Sequence, residues 1–75
     1  MGLSEGAERL FQKLAGQYAQ AGFPGRNMCG FNPDSSEEQR QMQELRAHGL
    51  MQLKTLGGTY AFTERGERRA VGAAE

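Results

Sequence analysis

Apolar side chains recur every three or four positions near the start of the chain, from Leu3 to Tyr18. This spacing places them on one face of an α-helix, which has about 3.6 residues per turn. Ser4 is suited to cap the N-terminus of that helix, and Gly22 is suited to end it. The pattern therefore predicts a helix from about Ser4 to Ala21 whose apolar face belongs to the core.

Residues 22–34 break the helical pattern with three glycines, two prolines and two asparagines. This composition leaves no room for a full helix and predicts a loop. Because Phe23, Met28 and Phe31 are too apolar for a free linker, we expect them to fold back onto the core. A loop of this length in a compact domain is also a candidate for contact with a partner. A packed loop and a partner-binding loop both fit the composition.

The polar and apolar positions after this loop predict a second helix. Ser35 and Glu38 have the spacing of a capping box, in which each side chain accepts a hydrogen bond from the backbone N–H of the other residue. Met42 and Leu45 form a narrow inward face, and Gly49 is suited to close the helix in a left-handed conformation. The outward face is mainly polar and consists of Gln39, Arg40, Gln43, Glu44 and Arg46.

Apolar residues alternate with polar ones on both sides of Gly57-Gly58, which predicts an antiparallel hairpin. A two-residue loop at these glycines places Leu56 opposite Thr59. The same pairing places Leu53 opposite Phe62, and opposed residues share a face of the sheet. One face then carries Met51, Leu53, Tyr60 and Phe62, and the other face is mostly polar. We expect this face to lie beneath two helices.

Thr63 is placed to cap a final helix from Glu64 to about Val71, and we expect the tail, residues 72–75, to be frayed. The chain therefore predicts an α+β fold with the order helix-loop-helix-strand-strand-helix. Its length suits one small domain that spans residues 1–75. A core of this size stabilises a fold only marginally.

The nine basic and nine acidic side chains cancel, so the whole molecule has no net charge to attract nucleic acid or membrane. The charges are nevertheless uneven. Residues 1–39 hold three basic and five acidic side chains, whereas residues 40–69 hold six basic and three acidic ones. A basic second half suits a surface that faces phosphates. Chance scatter in a short chain explains the same imbalance equally well.

Cysteine usage and hydropathy favour the cytoplasm. The single Cys29 excludes an intramolecular disulfide framework and suits a reducing compartment. No apolar stretch approaches the length of a signal-peptide core or a membrane span. We therefore expect a cytoplasmic protein that does not contact a membrane.

The inventory of reactive side chains argues against an enzyme. His48 is the only histidine, so Cys29 has no second histidine to activate it as a nucleophile. A zinc site needs about four N or S ligands, and His48 and Cys29 are the only two candidates. The acids Asp34, Glu37 and Glu38 stand at a predicted helix N-terminus, where capping and the helix dipole account for them better than a bound cation does. The sequence therefore predicts a protein without a catalytic site, metal site or cofactor.

Nucleic-acid binding is the function that the polar positions favour. The outward face of the second helix offers donors for base edges in the major groove, and basic residues elsewhere are suited to phosphates. The candidate DNA-binding residues are Gln39, Arg40, Gln43, Arg46, Lys54, Thr55, Arg68 and Arg69, with Arg65 beside the last two. Two observations weigh against this interpretation. Polar outward positions are typical of any solvated helix, and Glu37, Glu38 and Glu44 on the same helix would repel phosphates.

Two short stretches within residues 45–66 resemble a known family. Leu45-Arg46-Ala47-His48-Gly49-Leu50 is similar to the passage from recognition helix to strand in bacterial winged-helix transcriptional regulators. Tyr60-Ala61-Phe62-Thr63-Glu64-Arg65-Gly66 resembles the strand after the wing in those proteins, with its Thr-Glu-x-Gly exit into a helix. The resemblance implies that the helix from Gln39 to Arg46 reads DNA and that Lys54 to Thr59 form the wing.

The same resemblance leaves one element unaccounted for. These regulators have a further helix between the first helix and the reading helix, and residues 22–34 occupy that place here. The resemblance then implies either a very short helical turn or a degenerate motif, and a degenerate winged helix commonly serves protein interaction.

Two functions follow as expectations. The first is a small DNA-binding or transcription-related module of bacterial or phage type, with double-stranded DNA as partner. The alternative is a protein-interaction or dimerisation module, such as an adaptor or a small inhibitor. Its partner or second copy would contact the loop at Phe23, Met28 and Phe31, or the surface of the first helix.

Overall fold

The computed structural model describes residues 2–54 and 58–74 and shows a small α+β arrangement of three helices and one two-stranded antiparallel sheet. This class and the order of the elements confirm the sequence-based prediction. The elements are α1 (Glu5–Gln20), a 3-10 turn (Arg26–Met28), α2 (Ser36–Ala47), β1 (Met51–Leu53), β2 (Tyr60–Phe62) and α3 (Glu64–Ala74).

Helix α1 begins and ends close to the predicted residues. The Ser4 hydroxyl accepts a hydrogen bond from the Ala7 N–H at 3.3 Å, which caps the first turn. After the last turn, Gly22 and Phe23 both adopt positive φ angles, 84° and 52°. The Phe23 N–H then donates to the Tyr18 carbonyl at 3.1 Å. The inward face of the helix is buried as predicted and consists of Ala7, Leu10, Phe11, Leu14, Ala15 and Tyr18.

Helix α2 has the predicted cap and the predicted inward face. The Ser35 hydroxyl accepts from the Glu38 N–H at 3.1 Å, and Met42 and Leu45 are buried. The Glu38 carboxylate accepts from the Asp34 N–H at 3.1 Å, one residue earlier than a capping box predicts. Gly49 closes the helix with a φ of 76°, as expected for a left-handed residue at this position.

The hairpin forms with a register that differs from the prediction by two residues. Met51 lies opposite Phe62 and Leu53 lies opposite Tyr60. The predicted two-residue loop at Gly57-Gly58 would instead place Leu53 opposite Phe62. Beside these pairs, the Lys54 N–H donates to the Thr59 carbonyl at 2.7 Å. The predicted turn, with Thr55, Leu56 and Gly57, lies outside the described residues. Since the shift is even, every described strand residue keeps its predicted face.

Three of the four residues predicted beneath the helices are buried there. Met51, Tyr60 and Phe62 are at most 2% exposed and belong to one core cluster with α1 and α2. Leu53 is 43% exposed, so its prediction as a core residue is wrong.

The loop between α1 and α2 pairs with the outer side of β2 through one isolated antiparallel bridge. The Phe31 N–H donates to the Tyr60 carbonyl at 2.7 Å, and the Tyr60 N–H donates back to Phe31 at 2.8 Å. The Phe31 ring packs edge to face against Phe62, with 5.3 Å between the ring centroids. Phe31 therefore folds onto the core as predicted. Phe23 does so only in part, because its ring packs against Tyr18 but is 43% exposed, and Met28 is 75% exposed and does not.

A hydrogen-bonded group ties this loop to α3. The Tyr18 hydroxyl donates to the Glu67 carboxylate at 2.5 Å and accepts from the Gly25 N–H at 3.0 Å. The Arg26 guanidinium donates to the same carboxylate at 3.2 Å. The hydrogen bond from Tyr18, with those from Arg26, holds the pKa of Glu67 below its ordinary value. Burial, with the nearby Glu67 carboxylate, raises the pKa of Tyr18.

Helix α3 is longer than predicted and packs against α1. The Thr63 hydroxyl accepts from the Gly66 N–H at 3.0 Å, which confirms the predicted cap. The helix then continues past Val71 to Ala74, through most of the residues that we expected to fray. Alanine has the highest helix propensity, which accounts for this extension.

Candidate nucleic-acid interface

The polar face of α2 and the hairpin form the two sides of an open groove of about 550 Å³. Side chains from both elements line it, and most of them are polar or basic. The lining residues are Gln39, Gln43, Arg46, Leu53, Lys54, Gly58 and Tyr60. The groove therefore lies between the segment predicted to read DNA and the segment predicted to form a wing.

Helix geometry explains why three of these residues share one side of the groove. Gln39, Gln43 and Arg46 are separated by four and three positions, which places them on the same face of a helix. Gln39 is half-buried, and Gln43 and Arg46 are exposed. The structure thus brings Lys54 together with three of the candidate residues of α2.

Among the described candidates, Arg40, Arg68 and Arg69 are not part of the lining of this groove. Arg40 is exposed and lies one residue after Gln39, about 100° around the helix. Arg68 forms an ion pair with Glu64 within α3. Thr55 lies outside the described residues.

Arg69 connects α3 to α1 instead of facing the groove. Its guanidinium lies 2.7 Å from the Glu8 carboxylate and 5.3 Å from the centre of the Phe11 ring. A cation held by both a carboxylate and an aromatic face contributes to helix packing. Arg65 lines a separate cavity at the end of α2, together with His48, Arg69 and Glu8.

The acids of α2 point toward α1, on the opposite side of the helix from the groove. Glu44 accepts hydrogen bonds from the Ser4 N–H at 2.6 Å and the Ser4 hydroxyl at 2.8 Å. These two bonds lower the pKa of Glu44. Glu38 lies 3.5 Å from the Lys13 ammonium, and Glu37 accepts from the Gln41 amide at 3.2 Å. The acids that would repel phosphates are therefore engaged elsewhere.

The groove differs in charge from the other cavities of the described chain. Its described lining has two basic side chains and no carboxylate, whereas three further cavities of the described chain each include Asp or Glu. Within the same residues, neither Arg46 nor Lys54 forms an ion pair. Both cations are therefore available to an anionic ligand.

Sequence reasoning missed two members of the groove. Leu53 and Tyr60 were both assigned to the underside of the hairpin, and both contribute to the lining. Tyr60 is 2% exposed and forms part of the floor, while Leu53 is 43% exposed. The signal that could have found them is their cross-strand pairing, which depends on a loop length that the two glycines alone do not determine.

The residues proposed for protein contact separate into two groups. Phe31 is 9% exposed and belongs to the core, which argues against its assignment to an interface. Phe23 and Met28 remain on the surface of the loop, and the Phe23 ring packs edge to face on Tyr18 at 5.6 Å. Only these two are available to a partner from the described conformation.

Within residues 22–34, the helical structure is limited to the three-residue turn Arg26–Met28. The short helical turn that the resemblance left open is thus present, and no full helix precedes α2 in this segment.

No described helix is both long and apolar enough to cross a membrane. The described residues also contain no cluster of three side chains suited to hold a metal ion. No protein-family model matches the chain, and no curated protein or solved structure is significantly similar to it.

Proposed function

We propose that the chain is a small, non-catalytic DNA-binding module of winged-helix type and that the groove between α2 and the hairpin is its DNA-binding surface. The observation that carries the proposal is the composition of this groove. It joins Gln39, Gln43, Arg46 and Lys54 without a carboxylate. Of the acids of the same helix, Glu44 bonds to Ser4, Glu38 pairs with Lys13 of α1, and Glu37 bonds to Gln41 within α2.

The dimensions of the elements suit this role. Helix α2 has 12 residues, which corresponds to about 18 Å of helix. The major groove of B-DNA is about 12 Å wide and admits one α-helix. With the outward face of α2 in the major groove, Lys54 on the hairpin lies to one side of the helix, where a phosphate backbone would pass.

The electrostatics favour phosphate contact at this surface despite the neutral chain. Arg46 and Lys54 lie within one groove, so they attract the same stretch of backbone. Contacts of this kind position a protein on DNA, and they make the affinity depend on salt because each neutralised phosphate releases counterions.

The test is to titrate a fluorescently labelled random-sequence duplex with the protein and to measure binding by fluorescence anisotropy at several salt concentrations. We expect affinity to fall as salt rises, and Arg46→Ala and Lys54→Ala each to reduce the slope of log K against log salt by about 1. Arg9→Ala removes an exposed arginine that is paired with Glu5 on α1, and it serves as the charge-matched control. Absence of duplex binding at low salt, or equal losses in all three variants, would refute the proposal.

A protein-interaction role is the second candidate, and the loop after α1 is the observation that favours it. Phe23 is exposed and has a φ of 52°, which is strained for an aromatic residue, and Met28 is also exposed. Phe23→Ser and Met28→Ser test this role, whereas a change at the buried Phe31 would also disturb the core. This role predicts a dimer by light scattering that both variants weaken, and a monomer at high concentration argues against self-association.

A further inference from the structure

We infer that Gln39 and Gln43 select A·T base pairs through the major groove, with Leu53 contacting the thymine methyl group. This inference rests on the proposed DNA-binding function and assigns the sequence preference of the same groove. The groove places two amides and one exposed aliphatic side chain beside two cations. These groups match the chemical pattern that distinguishes adenine and thymine from guanine and cytosine.

The amide groups supply the match to adenine. A glutamine side chain donates one hydrogen bond and accepts another, which suits the N7 acceptor and the N6 donor of adenine in the major groove. Gln39 and Gln43 lie four residues apart on α2, a rise of about 6 Å along the helix axis. The base pairs of B-DNA are stacked about 3.4 Å apart. When α2 runs along the major groove of the DNA, the two amides can therefore form hydrogen bonds to adenines about two base pairs apart.

Leu53 supplies the match to thymine. It is the one large aliphatic side chain in the described lining of this groove, and 43% of it is exposed. Apolar contact with the C5-methyl group is a recurrent way to recognise thymine. This role gives the exposure of Leu53 a reason that the packing of the core does not provide.

The two cations complete a division of roles within the groove. Arg46 and Lys54 stand on the two elements that border it, and each is exposed. As phosphate contacts they strengthen binding to every duplex equally. The glutamines and Leu53 then determine which duplex is preferred.

Three 16-base-pair hairpin duplexes test the inference: alternating A·T, alternating G·C and alternating inosine·cytosine. The alternating A·T duplex offers an adenine at every base pair, whatever the position of the protein. Inosine·cytosine lacks the guanine amino group in the minor groove but keeps the guanine pattern of O6 and N7 in the major groove. A protein that reads the major groove thus treats inosine·cytosine as G·C, and one that reads the minor groove treats it as A·T.

We expect the A·T duplex to bind about 5- to 150-fold more tightly than both others, the range that one good bidentate contact provides. Replacement of thymine by uracil removes the methyl group, and it should weaken binding to the normal protein but not to Leu53→Ala. Gln39→Ala combined with Gln43→Ala should remove most of the preference for A·T and leave only the part due to Leu53, while Arg46→Ala should weaken all three and preserve their ratio.

Gln41→Ala is the matched control, since Gln41 lies on the same helix but bonds to Glu37 on the side of α1. It should leave the preference unchanged, and circular dichroism verifies that each variant is folded. Equal binding to the three duplexes, with the expected salt dependence, would refute the inference and leave the proposed function intact. A preference for G·C, or tight binding of inosine·cytosine, would also refute it. Failure to bind any duplex would refute both.

Discussion

The contact between α3 and the backbone at Leu50 provides the strongest test of the fold. A Cβ atom placed on Gly66 would lie 1.9 Å from the Leu50 carbonyl oxygen and 2.8 Å from its carbon. Ordinary non-bonded contacts between heavy atoms are about 3.5 Å, so in Gly66→Ala the two backbone segments would have to move apart by roughly 1.5 Å. The Leu50 carbonyl also accepts from the Thr63 N–H at 3.1 Å, so this movement would strain the hydrogen bond that leads into α3.

The magnitude follows from the cost of overpacking. Insertion of a methyl group into a packed site costs about 1–3 kcal/mol, and a collision with backbone belongs at the upper end of that range. A chain of 75 residues has a free energy of unfolding of about 4–11 kcal/mol. Gly66→Ala should therefore remove about 3 kcal/mol, a large fraction of the total.

Urea denaturation, monitored by circular dichroism, measures this loss of unfolding free energy. With a slope of about 1 kcal/mol per molar urea, the midpoint should fall by about 3 M, or the variant should be unfolded without urea. Gly72→Ala is the matched control, because it lies in the same helix with nothing within 4 Å of the added methyl group. Alanine favours a helix over glycine by about 1 kcal/mol, so this control should raise the midpoint. A Gly66→Ala variant as stable as the control would refute the packing of α3 on Leu50.

Three further predictions concern the core, the end of α2 and the loop. Leu45→Ala, at a fully buried position, should lower the free energy of unfolding by about 2–5 kcal/mol in the same urea assay, and a loss below about 1 kcal/mol would contradict its burial. Gly49→Ala should cost about 1–2 kcal/mol because φ is 76° there, and an unchanged midpoint would contradict that conformation. Since the bonds from Tyr18 and Arg26 lower the pKa of Glu67, its stabilisation is present above the ordinary pKa of 4.5 and is lost as pH falls through the folded value. Glu67→Gln should therefore flatten the acid side of a plot of Tm against pH, and an unchanged acid side would contradict the linkage.

The elements that the sequence predicted well are those with local causes. Ser4, Ser35 and Thr63 cap their helices because a hydroxyl close in sequence meets the free N–H groups of the first turn. Gly49 ends α2 because a left-handed residue is needed there. Each of these causes involves residues only a few positions apart, so it can be recognised from the sequence alone.

The errors concern features that depend on distant parts of the chain. The predicted hairpin register was wrong because the two glycines do not by themselves determine which strand residues pair, and Leu53 is exposed instead of lying in the core. The pairing of Phe31 with Tyr60 joins residues 29 positions apart, and no periodicity in the sequence signals it. The carboxylate of Glu44 was counted as a repulsive charge because its partner, Ser4, is 40 residues away. The candidate site was therefore predicted in part, through the spacing of Gln39, Gln43 and Arg46 on one helix.

The arrangement around α2 shows why net charge is a poor guide to the function of a chain this small. The formal net charge is zero, and at a distance the opposite charges cancel. At a distance of a few ångströms what matters is which side of a helix each charge occupies. The hydrogen bonds from Ser4 and Gln41 hold two carboxylates on the side of α1, which leaves Arg46 as the charged residue of α2 in the groove. Packing against α1 thus separates the charges of one helix by sign. Under the proposed function, the interface that stabilises the fold also leaves the opposite face of α2 without a carboxylate.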